Sequence, residues 1–229
     1  MSIAKNATNL SSFVREVVFG VEDGMVSTLG AVSGIAVGSQ DKYTILLAGI
    51  VIVAVESISM GIGSYVSNRS VKEVEEKELT EEKEKHKNLP GEEKKAVYQM
   101  FIRDGWVKSL ALKMARYAGL NKKLMLKEHQ YRELGIFPYQ KTRPLRNALL
   151  MFVSYIVGGL FPLVSYFLLP ISVAIYSSVL ATLTGLFLLG VITTFYTKVK
   201  PIRAGLRLMV MGSIAFGVGF LVGKVARTI

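Results

Sequence analysis

The chain has 229 residues, is 51% hydrophobic, has a mean hydropathy of +0.39 and carries a formal net charge of +11. Its charge is segregated: no charged residue lies between Asn147 and Thr197, whereas residues 69–146 hold 19 of the 28 Lys and Arg. That pattern excludes an ordinary water-soluble globule and a disordered chain and points to an all-α integral membrane protein. With no cysteine, disulfides, thiolate metal sites and a Cys nucleophile are excluded as well.

In chain order, Lys5 is followed by polar residues (Asn6, Thr8, Asn9, Ser11, Ser12), and no cleavable signal is read there. A first membrane span is expected over residues 13–38, interrupted by Glu22 and Asp23. A second covers residues 43–67 and carries one charge, Glu56. The uncharged run of residues 147–197 is too long for one span, and Pro170 divides it into a third and a fourth. A fifth runs over residues 206–225. The expectation is therefore five transmembrane helices with a cytosolic helical insert between helices 2 and 3. Residues 1–67 form the N-terminal segment and helices 1 and 2, residues 68–142 the insert, and residues 143–229 helices 3 to 5. Helices are the form expected because lipid offers no partner to an unpaired backbone group. Gly30, Gly34 and Gly38, and later Gly219 and Gly223, recur every fourth residue and mark faces where helices approach closely.

Lys and Arg set the orientation. The connection at residues 39–42 has one basic residue and the one at Pro170 has none, whereas the insert and the loop at 198–207 are basic. The N-terminus and residues 68–142 are placed in the cytosol and the C-terminus on the opposite side. The positive charge reads as topology and contact with anionic lipid, with no nucleic-acid partner.

The insert reads as helices. Residues 73–87 are rich in Glu and Lys and continue the second span as a solvated helix, ended by Pro90-Gly91. A second helix is expected from Glu92 to Arg103. A third presents Trp106, Leu110, Met114 and Tyr117 as one apolar stripe and ends at Gly119. Asn121 caps a fourth reaching about Leu134, and Gly135 and Pro138 close the unit. No phosphate-binding glycine loop, no H-E-x-x-H and no Ser/His/Asp arrangement is present, so no enzyme and no permanently bound cofactor is expected.

Ionisable groups inside a span are costly and tend to face a pathway or a partner. Asp23 is one such group, unless the first span begins only at Gly24. Glu56 is deeper. Offsets of 3, 4 and 7 from it place Ser59, Met60 and Gly63 on one helical face. A carboxylate, a hydroxyl and a thioether suit a divalent cation, and the sulfur favours a transition metal over Ca²⁺ or Mg²⁺. The alternative for Glu56 is a protonated, hydrogen-bonded residue in a helix interface, and for Met60 a packing residue.

Three strings carry a resemblance: Arg15 to Gly24 (REVVFGVEDG), Ser57 to Tyr65 (SISMGIGSY) and Ser154 to Leu163 (SYIVGGLFPL). In this order, with a charged insert between the second and third, the chain resembles the vacuolar iron transporter family of plants and yeast. The resemblance implies five spans, a cytosolic N-terminus and a homodimer with the ion pathway between protomers. It implies export of Fe²⁺ or Mn²⁺ from the cytosol in exchange for protons, with Asp23 and Met60 lining the pathway. The family's second-helix Glu, two turns before the Met, is Ile52 here, and the acid is Glu56. In the family's cytosolic metal-binding domain, Glu82, Glu93 and Glu133 fall at matching places. Lys85 and Ala96 stand where two further glutamates are expected, and His129-Gln130 replaces a methionine pair. A reduced cytosolic site of Glu82, Glu93, His129 and Glu133 is expected, the alternative being a solvated charged surface.

The function read from the sequence is thus a secondary transporter of Fe²⁺, or of Mn²⁺, exchanging metal for protons through Asp23, Glu56 and Met60. The membrane is that of a prokaryotic cell or of an organelle. A non-transporting sensor or scaffold and an uncoupled metal channel are the alternatives.

Overall fold

The computed structural model describes residues 2–88, 90–136 and 143–228, with side chains over 12–85, 92–136, 143–196 and 198–228. Among the described residues every regular element is a helix. They are α1 (Ser2–Ser39), α2 (Lys42–Asn88), α3 (Pro90–Arg103), α4 (Lys108–Leu120), α5 (Lys122–Arg132), α6 (Pro144–Leu168), α7 (Ile171–Thr197) and α8 (Pro201–Ala226). The chain divides into two compact units. One contains Leu10–Val66 and Pro144–Ile229; the other contains Ser67–Arg143 and the start of α1.

In the first unit, α1 is the central helix. Its Val32 and Ala36 are buried with Ile45 and Val53 of α2, Leu163 and Tyr166 of α6 and Ala174 of α7. Its Met25 is buried with Leu186 of α7 and Leu208 of α8. Glycines allow this enclosure. A Cβ on Gly20 would stand 2.7 Å from Cβ of Ser154, and one on Gly24 would stand 2.7 Å from the backbone nitrogen of Gly159. On another face, a Cβ on Gly30 or Gly34 would meet the carbonyl oxygen of Ala215 or Gly219 of α8, at 2.9 and 2.6 Å. Real Cβ contacts do not come so close, so the backbones are packed at a distance only small residues permit.

Among the described residues four helices, α2, α6, α7 and α8, are long and apolar enough to cross a membrane. They leave many large apolar side chains exposed, among them Val55, Ile58 and Ile62 of α2 and Val153, Val157 and Phe161 of α6. A surface of that kind suits lipid. The expected first span, within α1, is not among the four. Glu22, Asp23 and its Ser, Thr and Gly residues dilute its hydropathy, and a helix enclosed by other helices needs little lipid-compatible surface. Length and composition thus support four of the five expected spans.

The breaks follow local chemistry. Pro170 is the N-cap of α7, and the Lys42 ammonium donates to the carbonyls of Phe167 and Leu169 (3.3 and 3.4 Å), which the end of α6 leaves free. Asp41 starts α2: its Oδ2 accepts from the backbone N–H and the hydroxyl of Thr44 (2.7 and 2.6 Å). Pro162 lies inside α6, and its carbonyl accepts from the Ser178 hydroxyl of α7 at 2.8 Å.

In the second unit, α2 continues as one helix to Asn88, as the Glu/Lys-rich sequence predicts. It is laced by the (i, i+4) pairs Arg69–Glu73, Lys72–Glu76 and Lys77–Glu81. Helix α3 starts at Pro90, two residues before the expected Glu92, because proline's fixed φ and missing N–H fit a first helical position. Asn121 caps α5 by accepting from the N–H groups of Lys123 and Leu124, as the sequence predicts. Gly119 does not end α4, which includes it and runs to Leu120, and α5 stops at Arg132, short of Leu134. Gly135 takes φ +64, the left-handed region, while Pro138 lies outside the described residues. Of the expected stripe only Met114 packs against the core, partly buried. Trp106, Leu110 and Tyr117 are exposed, and α4 buries Ala111, Ala115 and Ala118 against Val97 and Phe101 of α3 and Met125 of α5. Small residues win that face because three short helices pack closely there; the large ones, offset by about a quarter turn, remain outside.

Candidate metal sites

The membrane unit positions Asp23 on α1 and Glu56 and Met60 on α2. Tyr155 of α6 reaches both helices. The Ser27 hydroxyl donates to the main-chain oxygen of Asp23 at 2.7 Å, and the Tyr155 hydroxyl lies 2.6 Å from it. Glu56 Oε2 is 3.5 Å from the same tyrosine oxygen. Helices α1, α2 and α6 therefore meet in one polar spot in otherwise apolar surroundings. Met60 follows one turn after Glu56 on the same face and is half-buried, whereas Glu56 is exposed in the single chain. Glu22 is half-buried and points elsewhere on α1, about 100° from Asp23.

Two residues given no role from sequence belong to this region. Tyr155 is fully buried and links the acid-bearing helices. A tyrosine in an uncharged span, whose hydroxyl must find a partner in lipid, is the signal that could have found it. Glu16 is buried at 3% exposure, pairs with Arg15 at 2.8 Å and accepts from the Ser64 hydroxyl of α2 at 2.9 Å. Its burial comes from α2 packing across it, which the local sequence does not encode.

The second unit brings Glu82, Glu93, His129 and Glu133 together from α2, α3 and the end of α5. His129 is at the centre, its side chain 2% exposed. Its Nδ1 is 3.1 Å from Glu82 Oε1 and 2.7 Å from Glu133 Oε2; its Nε2 is 2.8 Å from Glu93 Oε2. The acids are unequally covered: the side chains of Glu82, Glu93 and Glu133 are 3%, 10% and 42% exposed. One ligand atom each from Glu82, His129 and Glu133 can lie within 4.8 Å of one another. Lys85 approaches only the other oxygen of Glu82, Oε2, at 3.6 Å, and is largely exposed. Arg132 braces the helix carrying His129: it pairs with Asp104 and with Glu128 (2.8 Å) and lies over the Phe101 ring. Burial holds the Glu128 carboxyl above the usual carboxylate range, against the opposing pull of His129.

Three carboxylates around one imidazole, mostly out of water, make a site of excess negative charge. Such a charge is costly unless a cation or protons offset it.

The VIT family model matches residues 14–224. Among similar proteins is vacuolar iron transporter 1 of Eucalyptus grandis, 28% identical over 222 residues, covering 94% of this chain and 87% of its own. The vacuolar iron transporter of Centaurea cyanus is 30% identical over 212 residues, covering 92% and 86%. That of Plasmodium falciparum is 27% identical over 224 residues, covering 93% and 82%. A match that runs from the first acid-bearing helix to the end of α8, through both clusters, is a match to the whole architecture: the chain belongs to the VIT family.

Proposed function

We propose that this protein is a secondary transporter that carries Fe²⁺, and Mn²⁺ with it, out of the cytosol in exchange for protons. The observation that carries the reading is the Tyr155 hydroxyl, which lies 2.6 Å from Ser27 of α1, one turn after Asp23, and 3.5 Å from Glu56 of α2, in a chain whose relatives are named vacuolar iron transporters. Two carboxylates held together in a region of low dielectric repel each other, and a divalent ion between them removes the repulsion. Met60 adds a soft donor that favours a transition metal over Ca²⁺ or Mg²⁺. Carboxyls that bind metal must give up their protons, so metal arriving from one side and protons from the other compete for the same oxygens. That competition is the basis of exchange.

A second copy of the chain belongs to this reading. Glu56 is exposed in the single chain although it lies mid-span, and a charge turned to lipid costs several kcal/mol. A homodimer that covers this face turns it into a pathway wall.

The test is uptake of Fe²⁺ into proteoliposomes carrying a pH-sensitive dye. Metal uptake with opposed proton movement is expected, and Asp23→Ala and Met60→Ala are expected to abolish it. Unchanged uptake in both variants overturns the site. Metal flux without proton movement makes the protein a channel, and no flux at all makes it a sensor or scaffold.

A further inference from the structure

We propose that the crevice between the ends of α1 and α8 and the start of α7 holds one anionic phospholipid, its phosphate on the Arg227 guanidinium and an acyl chain along Ile171, Ile175 and Phe220. The proposal goes beyond the transport reading and uses no residue of either candidate metal site. Helix register brings the three ends together. A Cβ on Gly30, Gly34 or Gly38 of α1 would meet Ala215, Gly219 or Gly223 of α8 in turn, so these two helices run parallel and finish at one level. Lys42, at the start of α2, reaches the last carbonyls of α6, which puts the α6–α7 turn at the same end. Between the ends lies a cavity of about 470 Å³, within the range of roughly 300–1,000 Å³ usual for small-molecule sites.

Its lining divides by chemistry. Ile171 and Ile175 of α7 and Phe220 of α8 supply apolar wall, whereas Gln40, Ser172 and Arg227 supply polar groups. Arg227 is exposed, and its guanidinium has no acidic partner among the described residues; the Gln40 amide and the Ser172 hydroxyl have none there either. Asp41, an acid at this end, is already held by Thr44. Lys224, one turn earlier on α8, adds a second positive charge. This end is the one read as non-cytosolic, where the distribution of Lys and Arg that sets topology gives no reason for two cations. A phosphate does: the guanidinium fork offers it two parallel N–H donors. The start of α7 works in the same direction, because Pro170 brings no side-chain cap and the first N–H groups of a helix carry partial positive charge. The apolar wall decides for a lipid over a free phosphate, which would leave that wall against water.

The test places a reporter in the crevice of the full chain, reconstituted in phosphatidylcholine bilayers. Trp106→Phe removes the single tryptophan, and Phe220→Trp in that background puts one in the cavity wall, where lipids brominated in the acyl chain quench it on contact. Brominated phosphatidylglycerol is expected to bind about tenfold more tightly than brominated phosphatidylcholine, the order of effect of one charge-assisted contact. Arg227 lies past the last turn of α8 and is exposed, so its variants keep the fold. Arg227→Ala is expected to abolish the preference and Arg227→Lys to retain part of it, the charge remaining without the fork. Arg203→Ala, which removes a cation at the opposite end of α8, is expected to leave it unchanged. Equal quenching by the two lipids, a preference that survives Arg227→Ala, or one lost equally in Arg203→Ala overturns the proposal. Reversal of the quenching by millimolar inorganic phosphate also overturns it, because the cavity then takes a free anion.

Discussion

At the scale of single residues, polar atoms decide more than their number suggests. The Tyr155 hydroxyl touches Ser27 of α1 and reaches Glu56 of α2. Tyr155→Phe keeps the ring and removes that link. It is expected to cost about 0.5–1.5 kcal/mol of stability, the usual worth of a hydrogen bond, and to lower metal uptake by more than that loss of folded protein explains. Thermal unfolding in detergent beside uptake in proteoliposomes separates the two effects. Asp41 gives a pH prediction. Hydrogen bonds from the Thr44 hydroxyl, then from the Thr44 backbone N–H, hold its carboxyl below the usual carboxylate range. A carboxyl lowered on folding adds stability that is fully present above its unfolded value, near 3.9, and is lost as pH falls through the lower folded value. Asp41→Asn is therefore expected to lower the unfolding temperature at pH 7 and to make no difference in strong acid; an equal effect at both pH values would contradict the charge-assisted cap. The capping asparagine Asn121 was readable from sequence because a cap is local chemistry. The role of Tyr155 was not, because its partners are 99 and 128 residues away.

At the scale of elements, backbone approach carries the prediction. A Cβ on Gly158 of α6 would overlap the Val21 carbonyl of α1, with the Val21 carbonyl carbon and Cα at 2.9 Å. Backbone cannot step aside as a flexible side chain can, so Gly158→Ala is expected to cost about 1–3 kcal/mol. Gly63, whose added Cβ would meet nothing within 4 Å in the single chain, is the contrast: Gly63→Ala is expected to leave the detergent-solubilised monomer's unfolding unchanged. Comparison of the two unfolding temperatures checks the pair, and equal losses would contradict the packing account. The glycine spacing in α1 and α8 was visible in the sequence, as was the break at Pro170. Which helix each glycine faces was not. The stripe of α4 shows how local pattern fails: Trp106, Leu110 and Tyr117 have helical spacing, yet the alanines face the core, because spacing identifies a face and leaves open which face a neighbour covers.

At the scale of the whole molecule, the division into two units sets how the protein should unfold. Its single tryptophan, Trp106, lies in the helical unit, so tryptophan fluorescence reports that unit alone. Far-ultraviolet circular dichroism is dominated by the long helices. Heating is expected to give non-coincident transitions by the two probes, fluorescence first, because small helical units bury a modest core. Added Mn²⁺ at a hundred times its dissociation constant is expected to stabilise the helical unit by about 2.7 kcal/mol, and a chelator to reverse the shift. Coincident transitions would contradict the independence of the units.

The sequence by itself determined the membrane class, the helices, the two polar clusters and the family, because segregated charge, apolar runs and capping residues act locally and leave local marks. It also named all four residues of the His129 cluster, since that resemblance ties each to a position. Tertiary structure alone decided that α1 is enclosed by the other helices of its unit, that Tyr155 links Ser27 of α1 to Glu56 of α2, and that two carboxylates face one nitrogen of His129 and one faces the other. Those are relations between segments far apart in the chain, and no periodicity or spacing within a segment records which side of a ring a distant helix will reach.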